Sequence, residues 1–133
     1  IHGLIESYLP PPIEKNWIQN IDDAYIQANL EDKPIFLDFT GYTCTNCRWM
    51  EINIFEDDRV KDLFDNFILT KLYTDGKDDI HKFNRKLEIE RFGTSALPYY
   101  VVLTKDDKVI ATFPGMNTDI STFIKFLEES LEF

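Results

Sequence analysis

An α/β fold, with a mixed four-stranded sheet flanked by helices on both faces, is predicted for this chain by three observations. The apolar run Ile35–Phe39 is short enough for a buried strand. The elements read in the order α-β-α-β-α-β-β-α, so a βαβ crossover supplies parallel neighbours and a closing hairpin adds an antiparallel one. The C-terminal stretch sets Ile120, Phe123, Ile124, Leu127 and Leu131 at helical spacing, one apolar face of a surface helix.

The elements follow in order. Residues 1–12 end in Leu9-Pro10-Pro11-Pro12. Consecutive prolines lack N–H donors and favour an extended chain, so 1–12 reads as an arm or linker ahead of a domain spanning 13–133. Apolar residues at 17, 18, 21, 24, 25 and 28 predict a first helix over Trp17–Leu30, with Asn20 or Asp22 as N-cap, stopped by Asp32-Lys33-Pro34. The strand Ile35–Thr40 follows, then a turn at Gly41 and a helix over 45–55. Asp57-Asp58 opens a short helix to Phe64, and Phe67–Tyr73 is the second strand. Lys77–Phe92 reads as a helix with Ile80, Phe83, Leu87 and Phe92 on one face. Tyr99–Leu103 and Val109–Phe113 form a hairpin about Lys105–Lys108, and Pro114-Gly115 precedes the last helix, 118–131.

Composition bounds the partners. The 133 residues fit one domain, and 44% hydrophobic with 14% aromatic content supplies its core. Lys+Arg number 14 against 24 Asp+Glu, a net charge of -10 that argues against nucleic acid and anionic membrane surfaces. No apolar run approaches the ~20 residues of a membrane span, and no basic-then-apolar leader is present. Ile1 is not a usual chain start, so a longer parent is expected.

Both cysteines fall in one stretch, Cys44-Thr45-Asn46-Cys47, at the end of the first strand and the start of a helix. Open α/β sheets place their sites at such carboxyl edges. A thiol there meets unpaired amides and the positive end of the helix dipole, which favour thiolate. Cys44, the outer cysteine, is the expected attacking thiol, and Cys47 the resolving one. A zinc site would need four ligands, and beyond the cysteines only His2 and His81 are on offer, without second-pair spacing. Both histidines read as surface residues, and neither metal nor cofactor is expected beyond the Cys44–Cys47 disulfide itself. A purely structural disulfide in a binding module is the competing reading.

Asp38-Phe39-x4-Cys44-x-x-Cys47, followed by Lys71-Leu72-x-x-Asp75 and Phe92-Gly93-x3-Leu97-Pro98, resembles the thioredoxin fold over residues 13–133. More narrowly, Phe39-Thr40-Gly41-Tyr42-x-Cys44-x-Asn46-Cys47-Arg48-x-Met50-Glu51 is similar to the C-terminal periplasmic domain of transmembrane thiol:disulfide interchange proteins, the Dsb-type reductases. Thioredoxin itself would carry Trp-Cys-Gly-Pro-Cys, and the proline that bends its active-site helix is replaced here by Ile52.

The resemblance implies a protein-disulfide reductase, periplasmic and membrane-anchored through its parent, of the kind serving disulfide reduction and cytochrome c biogenesis. It would act as a monomer, taking electrons from a membrane-embedded domain and passing them to periplasmic thiol proteins. A free-standing thioredoxin-like reductase is the alternative. Pro98 matches the family's cis-proline, which with Leu97 would present backbone to a substrate segment, the alternative being a trans proline that opens a strand. Asp38, raised by burial, would exchange a proton with Cys47; Glu51 matches a second family acid that would couple to it, or is a solvated helix glutamate. Lys71 matches a lysine facing the buried acid, or is an exposed strand residue. Tyr42 and Tyr99 would rim the site, while Trp49 defaults to core packing.

Overall fold

The computed structural model describes residues 17–132. The 1–12 arm lies outside the described residues. Helix α1 (Ile21–Glu31) leads to β1 (Ile35–Thr40), α2 (Thr45–Asn53), α3 (Asp58–Phe64) and β2 (Ile68–Tyr73). Helix α4 (Asp79–Phe92), β3 (Tyr99–Leu103), β4 (Val109–Pro114) and α5 (Ile120–Ser130) complete the order. The sheet runs β2-β1-β3-β4, with β1 parallel to β2 and the other pairs antiparallel. It is the thioredoxin fold that the sequence predicts.

Strand β1 is central and buried throughout its six residues, so its side chains divide by the two-residue pleat into two cores. Phe36 joins Tyr100, Val102, Phe113 and the helices carrying Met50, Phe64 and Phe123. Ile35, Leu37 and Phe39 face the other layer, with Leu72, Val101 and Ala24 and Ala28 of α1. By this alternation Asp38 falls on the Phe36 side, facing α2 rather than α1. The same pleat sends Lys71 of β2, register partner of Asp38, to that side.

Two expectations change. The first helix begins at Ile21, because Asn20 caps it by accepting from Asp23 N at 2.8 Å. Trp17-Ile18 is extended instead: Ile18 N donates to Leu69 O and Ile18 O accepts from Lys71 N, both at 2.8 Å, extending the sheet beyond β2. In α4 Leu87 and Phe92 pack on the core as expected, but the fully buried residues are Asn84 and Glu88, while Ile80 and Phe83 are 40% and 51% exposed. Asn84 is drawn inward by a bond from its Nδ2 to Tyr73 O at 3.0 Å, which ties α4 to the end of β2.

Candidate active site

The turn after β1 delivers Cys44 to the N-cap of α2, with extended backbone (φ -85°, ψ 106°). Its Sγ accepts the amide of Cys47 at 3.1 Å, and its carbonyl accepts from Arg48 N at 3.2 Å. The two cysteines are bridged, their Cα atoms 5.2 Å apart. Cys44 is half-buried and Cys47 is 1% exposed, so one sulfur is far more open to a visitor than the other. An amide aimed at Cys44 Sγ favours negative charge there once the bridge opens.

Strand β3 brings a second component. Phe39 pairs with Tyr99 in antiparallel register, which sets Leu97 and Pro98 opposite the end of β1. The Leu97–Pro98 peptide is cis. Leu97 packs so close to Gly41 that a Cβ on the glycine would lie 3.1 Å from Leu97 Cδ1. The carbonyl of Pro98 already accepts from Gly115 N at 3.0 Å.

On the α2 side of the sheet lie four charged side chains, Asp38, Arg48, Glu51 and Lys71. Asp38 is 1% exposed, Glu51 6% and Lys71 3%. Arg48 grips Glu51: Nε stands 2.9 Å from Oε1, and the better-aligned hydrogen bond runs from Nη2 to Oε2 at 3.0 Å. The same Nη2 donates to Thr40 Oγ1 at 3.1 Å, pinning α2 to the end of β1. Lys71 Nζ lies 3.5 Å from Glu51 Oε2 and 4.8 Å from the centre of the Trp17 ring. Two cations and two carboxylates thus balance, the arrangement that makes buried charge tolerable. Tyr100, register partner of Asp38, has its hydroxyl pKa pushed well above 10, first by burial and then by the charges of Asp38 and Glu51.

The turn after β1 and the start of α2 carry Tyr42, Cys44 and Cys47, with Leu97 packed against Gly41 and the cis Pro98 next to it, while Asp38 and Glu51 are buried in β1 and α2. Tyr99 departs from its expected place at the rim. Its ring packs between Phe39 and Phe92, 9% exposed, because the pleat turns it toward the α1–α4 core. Lys71 is the buried lysine of its two readings, and Trp49 packs partly against the core. Arg48 was missed as a site residue, though its spacing of three from Glu51 on a helix signals the pair.

His81 is not a plain surface residue. It is half-buried, its Nδ1 accepts from Asp78 N at 3.2 Å, and its Nε2 lies 3.3 Å from Tyr42 Oη. Among the described residues, no three His, Cys, Asp or Glu side chains converge as a metal-holding group.

A cysteine pair at a helix start, beside a cis-proline on this sheet, defines the thioredoxin-fold class and supports thiol–disulfide oxidoreductase chemistry. Within that class the chain belongs to the Thioredox_DsbH family, described as a protein of unknown function (DUF255), whose model matches residues 6–130. It is similar to a DsbH oxidoreductase structure, with a TM-score of 0.62 and 19% identity over 89% of this chain and 90% of that one. It is likewise similar to the oxidised C-terminal domain of DsbD from Neisseria meningitidis, with a TM-score of 0.66 and 19% identity, covering 85% and 98%. A thioredoxin from Thermus thermophilus superposes with a TM-score of 0.68 at 14% identity, covering 86% of each. An uncharacterized Caenorhabditis elegans protein, B0495.5, is 32% identical over 92 residues; the match takes in 68% of this chain but spans 13% of that protein's length. No helix among the described residues is long and apolar enough to cross a membrane.

Proposed function

We propose that this domain is a protein-disulfide reductase acting outside the cytoplasm, drawing electrons from a membrane-embedded donor and delivering them to protein disulfides. The observation that carries the reading is the asymmetry of the pair: Cys44 is half-buried with its Sγ facing an amide, and Cys47 is fully buried one turn behind it. In the reduced protein the Cys44 thiolate attacks one sulfur of a partner disulfide. A mixed disulfide forms and the partner's other sulfur leaves as thiolate. Cys47, its proton passed to Asp38, then attacks Cys44 Sγ, expelling the second partner thiolate. Two electrons have moved to the partner, whose thiolates take up protons, and the Cys44–Cys47 bridge remains to be reduced by the donor. Glu51 serves as the anion that fixes Arg48 and Lys71 around Asp38. Pro98 has no N–H and its carbonyl is occupied, so the backbone of Leu97 is the edge against which a substrate segment would pair.

The test is Cys47→Ala. Exchange chemistry requires that Cys44 then trap a partner as a stable mixed disulfide, whereas a structural bridge would leave it unreactive. Direction is tested by equilibration with a thiol redox buffer: a midpoint near or above about -120 mV, the range of strong periplasmic oxidants, would sink the reductant reading.

A further inference from the structure

The turn that precedes Cys44 is held from outside its own element. Asp75, in the loop after β2, accepts from Tyr42 N at 2.8 Å, from Thr43 N at 3.1 Å and from Thr43 Oγ1 at 3.0 Å. Every donor that the backbone offers between Gly41 and Cys44 is thereby taken by one carboxylate. The amide of Cys44 closes the turn on Gly41 O at 3.4 Å. Burial alone would raise the Asp75 carboxyl, but these donors outweigh it and hold it below the usual range, so it is an anion at neutral pH.

The side chain of Tyr42 is fixed too. It stacks on Tyr73, ring centres 4.0 Å apart and 13° from parallel, with His81 edge-on at 5.4 Å. Because His81 Nδ1 accepts from Asp78 N, the ring proton belongs on Nε2, which donates to Tyr42 Oη. Two glycines make room for this brace. A Cβ at Gly41 would stand 2.7 Å from Asp75 Oδ2, and one at Gly76 would collide with the His81 ring. Such close approach is what glycine permits.

We infer that Asp75 is a positioning residue for the exchange reaction: by clamping Tyr42 and Thr43 it holds Cys44 at the N-cap, with its sulfur on the Cys47 amide. It never touches the reacting sulfurs in this arrangement; it acts through the backbone two residues upstream. The inference rests on Cys44 being the attacking thiol, as in the function proposed above. Since the geometry it controls is the one that favours thiolate, its loss is read in the ionisation of Cys44, not in activity alone.

The experiment uses the reduced protein with Asp75→Ala and Asp75→Asn, following Cys44 ionisation by the pH dependence of iodoacetamide alkylation, with melting temperature beside it. Asp75→Ala is expected to raise the Cys44 pKa by about one unit, slowing alkylation near neutral pH about tenfold. Asp75→Asn, which keeps an acceptor oxygen for the turn, is expected to stay within about threefold of wild type. If Asp75→Ala does not fold, Gly41→Ala drives a methyl group against the same carboxylate and is expected to move the pKa the same way.

Two results would overturn the inference. One is a lowered melting temperature with an unchanged Cys44 pKa, which would make the clamp structural only. The other is an equal fall in pKa for Ala and Asn, which would mean that Asp75 acts by charge. A wild-type protein that reduces no protein disulfide, yet keeps the Asp75-dependent thiol pKa, would remove the proposed function and leave the positioning role standing.

Discussion

Arg48 and Glu51 are locked together across one turn of α2, with Nε 2.9 Å from Oε1 and Nη2 3.0 Å from Oε2. Arg48 follows Cys47 directly, and the guanidinium also holds Thr40 at the end of β1. Removing one partner leaves the other charge under-compensated in a buried place. Arg48→Met is expected to cost about 1–3 kcal/mol, below the ~3–5 kcal/mol of a fully buried pair because the Arg48 side chain is 26% exposed. It should also raise the Cys44 pKa, since a cation near the thiols is lost. Arg48→Lys restores the charge but not the two-pronged grip, so it should recover the pKa while recovering only part of the stability. Urea denaturation and thiol titration of both variants check this, and a Lys variant indistinguishable from Met would refute it.

Asp38 carries the second prediction. It is buried in β1 on the side of α2, with Lys71 and Tyr100 as its register partners. If it takes the proton of Cys47, Asp38→Asn should slow the resolving step by about 100-fold or more, in the usual range for a lost general base. The first attack should change little, so the mixed disulfide with a model substrate should accumulate. Quenched-flow trapping separates the two steps; equal slowing of both would show that Asp38 acts on the attacking thiol instead.

The third prediction concerns the aromatic core that supports this edge. Phe36 meets the rings of Trp17, Phe55, Phe64, Tyr100 and Phe123 between 5.1 and 6.1 Å, fully buried. Phe36→Ala should therefore cost about 3–5 kcal/mol by denaturation. Leu30, 75% exposed at the end of α1, is the control, and Leu30→Ala should stay within about 0.5 kcal/mol.

Hydrophobic period made most of the fold legible: β1 and β3 are buried throughout, and α5 buries Phe123 and Leu127 and packs Ile120, Ile124 and Leu131 partly against the core, with Phe126 buried beside them. It failed where polar groups decide. Trp17 and Ile18 fit the helical stripe of α1 by spacing, yet the Asn20 cap starts the helix after them, and their backbone joins the sheet. In α4 the apolar Ile80 and Phe83 face out, since the inward face is chosen by Asn84 and by packing on β2. Cys44 and Cys47 were readable because their chemistry lies within four residues. His81 was not, because its meaning depends on Tyr42, a residue distant in sequence that only folding brings near. Asp75 was visible as a landmark but not as a clamp, for the same reason.

Glu88 gives a prediction of opposite sign to most carboxylates. It is 0% exposed in α4, and among the described residues neither of its oxygens has a hydrogen-bond partner. Burial pushes its carboxyl up to about 8 from an ordinary 4.5, so the folded protein keeps a proton there at neutral pH. Between those values the unfolded chain has released a proton that the folded chain retains. Stability is therefore fully present below about pH 4.5, falls by about 1.4 kcal/mol per pH unit above it, and levels off once pH passes about 8. Glu88→Gln has no proton to lose, and its amide would serve Asn84 Oδ1, one turn earlier and without a hydrogen-bond partner among the described residues. The variant should thus gain on wild type steadily from pH 5 to pH 8, by several kcal/mol in all. Urea midpoints of both proteins across that interval decide it: parallel curves would mean that the folded protein carries Glu88 ionised, against water or a partner that its burial hides.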